Sequence, residues 1–265
     1  MRRHERIARD LRDAINRGDY RPGDTIPHEP ELMERYGASR HAVRTAVAAL
    51  TREGLVIPVR RRGTVVRDRA GRRRVRRGLL VRRDHRGYVM PAAAREGEPW
   101  QVHGRPRRDT VPIPARAAEL LGLEEGATAL RRRRVTSPEG EPPFQLVDTW
   151  IHPDAVADAP QVAERDTGPG GYLDRLEEAG HGPLSWAEYI RVRMPAPDEA
   201  RLLGMPTSMP VMEIARVGTS ARTNAPVEAT ICIIPSDRVE LVTQLRRAPS
   251  ARWRDRPVHH GGHDL

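Results

Sequence analysis

Apolar residues recur at helical spacing three times in the amino-terminal part of this chain. In residues 4–17, Ile7, Leu11, Ala14 and Ile15 make a stripe that Gly18 stops. Residues 18–24 have turn chemistry throughout. A shorter stretch, 29–36, carries Leu32 and Met33 and ends at Gly37. Ser39, a favourable N-cap residue, then opens a run with no breaker before Gly54, in which Val43, Ala46, Val47 and Leu50 share one face. Arg40, His41 and Arg44 lie off that face, where their donors can reach base edges or phosphates. The period then changes. Two β-prone runs, 55–59 and 64–66, flank the basic turn Arg60-Arg61-Arg62-Gly63, which is hairpin patterning. Helix, tight turn, longer helix and wing predict a winged helix-turn-helix, whose second helix normally enters the DNA major groove.

The later part of the chain repeats itself. Leu120-Leu121-Gly122-Leu123 recurs as Leu202-Leu203-Gly204-Met205, and at the same distance after each glycine come Arg134-Val135 and Arg216-Val217. Each copy reads as a helix (114–121; 195–203), a strand, a turn (137–140; 220–226) and a final strand (144–151; 227–234). Two copies of helix plus hairpin predict an α+β domain on an antiparallel sheet. Met212, Ile214 and Arg216 alternate onto one strand face, and Glu228, Thr230 and Cys232 onto another. Arg216 on an apolar face needs an acidic partner or an anionic ligand, so a plain Arg–Glu ion pair and a ligand contact stay equally open. Arg131 to Arg134 run consecutively, so alternate ones are expected to point to water. Between the copies, the Gly-rich stretch 167–171 opens a helix, a candidate anion site. In residues 185–193, Trp186, Glu188, Ile190 and Val192 share a strand face, with Glu188 a candidate polar anchor.

At 265 residues the chain is long enough for two domains. All 46 of its Lys-plus-Arg total are arginine; 21 fall in residues 1–77 against 10 acids, while the other 25 face 26 acids. A basic module is joined to a nearly neutral one, so a polyanion partner is expected for the first only. Cys232 stands alone, which excludes an intrachain disulfide and fits a reducing compartment. No apolar run approaches the ~18–20 residues that span a bilayer, and the start lacks a signal's apolar segment; a soluble, cytoplasmic protein with no membrane partner is expected. No His–carboxylate, Ser–His or HExxH pattern marks a catalytic centre, so no catalysis, cofactor or metal is expected. His259, His260 and His263 read as part of a polar, disordered tail rather than a metal site.

Over residues 7–66 the chain resembles the GntR family of bacterial transcription regulators. The match lies in Gly18-Asp19-Tyr20-Arg21-Pro22-Gly23-Asp24-Thr25-Ile26-Pro27, in Ser39-Arg40-His41-Ala42-Val43-Arg44, and in Glu53-Gly54-Leu55 with Arg62-Gly63-Thr64. The resemblance implies DNA contacts from Ser39, Arg40, His41 and Arg44, and from Arg62, Gly63 and Thr64 on the wing. Pro30 stands where the family commonly has a DNA-contacting Arg, so a shifted base preference is expected. Residues 79–245 resemble the UTRA effector-binding domain of the HutC branch, whose fold is similar to chorismate lyase, through segments 120–134, 143–153, 170–180, 188–195 and 202–228. That resemblance implies a small-molecule pocket using Arg134, the helix start at Gly170, Glu188, Arg193 and Glu228. Relatives that bind sugar phosphates often carry Ser at Gly170 and a Tyr near Ile234. Both are absent here, which argues against a phosphosugar and leaves another acid open.

The expected organisation is a winged helix-turn-helix (1–68), a basic linker (69–78) that could equally track DNA phosphates, a chorismate-lyase-like effector and dimerisation domain (79–247), and a polar tail (248–265). The expected function is a homodimeric repressor on a pseudo-palindromic operator in double-stranded DNA, responding to a polar or anionic small-molecule effector. Two rivals are a carboxy-terminal domain that only dimerises, and an enzyme of chorismate-lyase type.

Overall fold

Caps set the ends of the first three helices. α1 (Arg3–Arg17) and α2 (Glu29–Tyr36) stop where Gly18 and Gly37 take left-handed backbone conformations. α3 (Arg40–Arg52) starts at Ser39, whose hydroxyl accepts the Ala42 N–H at 3.3 Å. The computed structural model describes residues 2–59, 62–67, 72–78, 81–84, 87–90, 97–245 and 247–251. Ile7, Leu11, Leu32, Val43, Ala46 and Leu50 pack into one core with Leu55, Val56 and Val66. The last two belong to the antiparallel wing strands β1 (Val56–Val59) and β2 (Gly63–Val66). The turn-rich loop closes on the wing: Ile26 N–H donates to the Thr64 carbonyl at 2.9 Å and Val66 N–H to that of Asp24 at 2.8 Å. The winged helix-turn-helix is therefore present; Arg60 and Arg61 of its turn lie outside the described residues.

The second half begins with short strands β3 (Arg73–Arg77), β4 (Arg82–Asp84) and β5 (Gly87–Val89). An antiparallel sheet follows, made of β6 (Trp100–Pro112), β7 (Thr128–Pro138), β8 (Gln145–Ile151), β9 (Ser185–Arg193), β10 (Val211–Thr219) and β11 (Pro226–Pro235). Their spatial order is β6-β7-β8-β11-β10-β9. The repeat copies are α4 (Ala115–Leu121) with β7–β8 and α7 (Pro197–Leu203) with β10–β11; Gly122 and Gly204 end the helices in the same left-handed conformation. The copies join through their second strands, with Thr149 opposite Thr230. α4 and α7 cover one sheet face, burying Leu121, Trp150, Leu203, Ala229 and Ile231. On the other face, α5 (Pro153–Asp158) and α6 (Gly171–Leu176) cover Leu130 and Ile151. β3 and β12 (Val239–Thr243), a parallel pair, cover Ile214 and Ile234. Between those two covers the face is polar. No helix among the described residues is long and apolar enough to cross a membrane.

Much of the stretch expected as linker is strand. β3 turns Arg73, Val75 and Arg77 inward and Arg74 and Arg76 outward. Arg73 meets Glu98 at 2.7 Å and Glu141 at 2.9 Å, Arg74 meets Glu240 at 2.8 Å, and Arg72 donates to the Asp237 carbonyl. Charge density read as solvation hid a period-2 pattern that long-range acids neutralise. Just before it, the buried Arg67 ties the end of the wing to Asp237, ahead of β12, at 3.0 Å. With Arg73 held inside the fold, Arg73→Gln should cost about 2 kcal/mol of stability, below the ~3–5 kcal/mol of a fully buried pair because Glu141 is half exposed. The salt dependence of operator binding should not move. A slope shallower by ~0.9 would instead put Arg73 on a phosphate.

Candidate functional site

α3 buries Val43, Ala46 and Leu50 and exposes Arg40, His41 and Arg44 on the opposite side. Arg44 is not loose: its Nε donates to Glu29 at 2.9 and 3.1 Å, which leaves both terminal amino groups available to a base edge. Glu29, at the start of α2, carried no signal in the sequence beyond its place beside Pro30. Ser39 uses its oxygen as a helix cap and retains its O–H. On the wing, exposed Arg62 donates to the Gly23 carbonyl at 3.1 Å. Gly63 has φ +94°, and a Cβ there would come within 2.8 Å of the His28 ring. Glycine thus brings the wing, with Thr64, beside the start of α2.

On the sheet, register decides which predicted residues meet. Arg216 stands between Glu188 on β9 and Thr230 on β11, and Thr230 faces Thr149 on β8. Strand alternation puts Glu228, Cys232 and Arg134 on the same face. Arg216 donates to Glu228 at 3.4 Å, to the Tyr172 hydroxyl at 3.1 Å and to Thr230 at 3.3 Å. Fully buried Glu228 also accepts from Tyr172 at 3.3 Å and from Thr230 at 2.9 Å. Arg77 of β3 closes the far side on Glu188 at 2.6 Å. Burial by itself pulls the Arg216 pKa down, but the charge of Glu228 leaves it raised. Burial pushes the Cys232 thiol up to about 12, so that sulfur is an inert wall. Tyr172, Thr149 and Arg77 were not singled out from sequence; period 2 could have supplied Thr149, but not the others.

Two predicted pocket residues behave differently. Gly170 is the N-cap of α6, with φ +81°, and a Cβ there would lie 1.7 Å from the carboxylate of Asp174, which Arg83 holds. A serine hydroxyl therefore has no room at 170, and what this helix sends into the polar face is Tyr172. Arg193 is a correction. It lies an odd number of residues from Glu188, so it points to the opposite, helix-covered face. There it binds Glu199 at 2.7 Å and Glu213 at 2.6 Å, the hydrogen bonds to Glu199 above all raising its pKa. Glu213 is further held by Arg116 and Arg191. The arginine run does alternate: Arg131 and Arg133 turn to Asp109 at 2.7 Å and Asp148 at 2.6 Å, while Arg134 on the other face is exposed.

A Ser–His–Asp chain does occur in the fold. Asp158 lies 3.2 Å from His181 Nε2, and His181 Nδ1 lies 3.1 Å from Ser220 Oγ. Ser220 is 1% exposed, and its oxygen already accepts the N–H groups of Arg222 and Thr223. Its proton is thereby assigned to His181, with the tautomer set by this network. The chain pins the β10–β11 turn and presents no accessible nucleophile.

Comparison with known proteins agrees with both halves. Residues 3–66 match the bacterial regulatory proteins of the gntR family, and residues 107–240 match the UTRA domain. An HTH-type transcriptional regulator of Streptomyces coelicolor is 31% identical over 217 residues, 77% of this chain and 78% of that protein. The histidine utilization repressor of Klebsiella aerogenes is 26% identical over 221 residues, covering 80% of this chain and 83% of its own. A crystal structure of a GntR-family transcriptional regulator superposes with a TM-score of 0.56 at 25% identity, over 94% of this chain and 99% of that one. A DNA-binding winged module joined to a UTRA sheet is thus shared along nearly the whole length, and the chain belongs to the GntR family of bacterial transcription regulators.

Proposed function

We propose that this regulator is a homodimeric repressor that reads a pseudo-palindromic operator and releases it when a small polar or anionic effector binds the UTRA sheet. The observation that carries the reading is the exposed edge of α3, with Arg44 held by Glu29 and its fork left for a base. Ser39, Arg40, His41 and Arg44 form the major-groove set, and Arg62, Gly63 and Thr64 the wing set. The effector set is Arg134, Glu188 and Glu228, with the Gly170 helix contributing through Tyr172; Arg193 is left out because it braces the opposite face. The buried Arg67–Asp237 pair joins wing to sheet domain and gives a route for coupling. Relatives named histidine utilization repressors support repression as the mode of action.

Footprinting on the region upstream of its own gene, with and without candidate metabolites, tests the reading. Two protected half-sites one helical turn apart, lost on adding one metabolite, are expected. Protection that no metabolite changes would leave a sheet domain that only dimerises.

A further inference from the structure

β6 loses register with β7 at one point. His103 pairs with Val135 and Arg107 with Arg133, so Gly104, Arg105 and Pro106 together stand opposite Arg134 alone. Gly104 makes the bend at φ +70°. Bulges of this kind bend a strand and re-aim its side chains. Here the bulge opens a cavity of about 790 Å3, lined by Arg105, Arg107 and Arg108 from β6, Arg132, Arg133 and Arg134 from β7, and Arg165 beyond α5. Its volume lies in the ~300–1,000 Å3 range of small-ligand sites. No acidic residue is among its described lining residues.

The arginines here are not all compensated alike. Arg131 takes Asp109 and the lining Arg133 takes Asp148 and Asp198, whereas among the described residues the side chains of Arg105, Arg107, Arg108, Arg134 and Arg165 form no hydrogen bond or ion pair. Arg132 is fixed by the carbonyls of Val162 and Glu164 at 2.8 and 2.7 Å. Burial above all lowers its pKa; Tyr172 opposes this, and Arg108 and Arg134 lower it further, so the positive charges add up around it. A group of like charges around a concave wall repels itself until an anion enters, and guanidinium forks match carboxylate and phosphate oxygens two at a time.

We propose that this cavity binds a small organic polyanion, one with at least two phosphate or carboxylate groups, held between the bulge arginines Arg105, Arg107 and Arg108 and the strand arginines Arg132 and Arg134. The proposal rests on the effector reading above and deepens it, since Arg134 belongs to both groups and its charge also reaches Tyr172 in the Glu228 cluster. Duplex DNA fits the same charge poorly, because the cavity is concave and walled on the β6 side by its own bulge.

Isothermal titration of the full-length protein at constant ionic strength tests this with tripolyphosphate and citrate, against acetate and glucose. Both polyanions should bind once per chain and at least tenfold tighter than acetate, the tighter of the two naming phosphate or carboxylate as the preferred group. Combined Arg105→Gln, Arg107→Gln and Arg108→Gln should weaken that binding tenfold or more, with the thermal melt showing an intact fold. Equal binding of acetate and polyanions, or polyanion binding undiminished in the variant, overturns the proposal. A variant that instead loses operator affinity with a shallower salt slope also overturns it, because the arginines would then contact DNA. Operator release by an uncharged metabolite that leaves tripolyphosphate bound sustains the cavity and moves the effector elsewhere. Polyanion binding that is lost in the variant but never changes operator affinity upholds the cavity and removes the effector role.

Discussion

Glu228→Ala should destabilise the protein by about 3–5 kcal/mol, the cost of stranding one member of a buried ion pair. Glu228 is 0% exposed and is the carboxylate that Arg216 meets directly, while Tyr172 and Thr230 offer Arg216 only neutral oxygens. Glu188 lies across the strand from Arg216 but is already held by Arg77 at 2.6 Å. Removing Glu228 also leaves Tyr172 and Thr230 without the acceptor they share. The check is urea denaturation with an unchanged m-value, so that the midpoint alone reports the loss. A cost below about 1 kcal/mol would mean that water reaches Arg216 and that the cluster is not a closed network. Glu228→Gln, which keeps an acceptor oxygen, should cost less and separates scaffold from pocket. If it binds operator normally but responds weakly to effector, Glu228 touches ligand; a variant that melts early yet responds fully places it in the scaffold.

Arg44→Ala should weaken operator binding about 10- to 100-fold and flatten base preference at one pair per half-site, as removal of a two-pronged arginine from a base edge does. The salt slope should stay nearly constant if the fork of Arg44 reads a base and not a phosphate. Glu29→Ala should lower discrimination at the same base pair while retaining the arginine, since it frees Nε and lets the fork turn. Measured on a panel of operators varied at single positions, unchanged preference in Arg44→Ala would remove this residue from the reading set.

The amino-terminal module was legible because its determinants are local. A cap at Ser39, stops at Gly18 and Gly37 and an apolar stripe from Val43 to Leu50 act over one or two helical turns. The same holds for the repeat, where Gly122 and Gly204 end matching helices and period 2 marks the strands. Even the face of Arg193 followed from that period, which the family likeness overrode. Tertiary structure decided what depends on partners far along the chain. β3 is a strand because β12 pairs with it, and Arg73 is buried because Glu98 and Glu141 arrive there. Gly104 to Pro106 became a bulge only through the register between β6 and β7. That register also turned Arg131 and Arg133 towards aspartates and left Arg132 and Arg134 on the other face. Capping and periodicity act between neighbours in sequence, whereas charge compensation acts between neighbours in space, and those exist only once the sheet has closed.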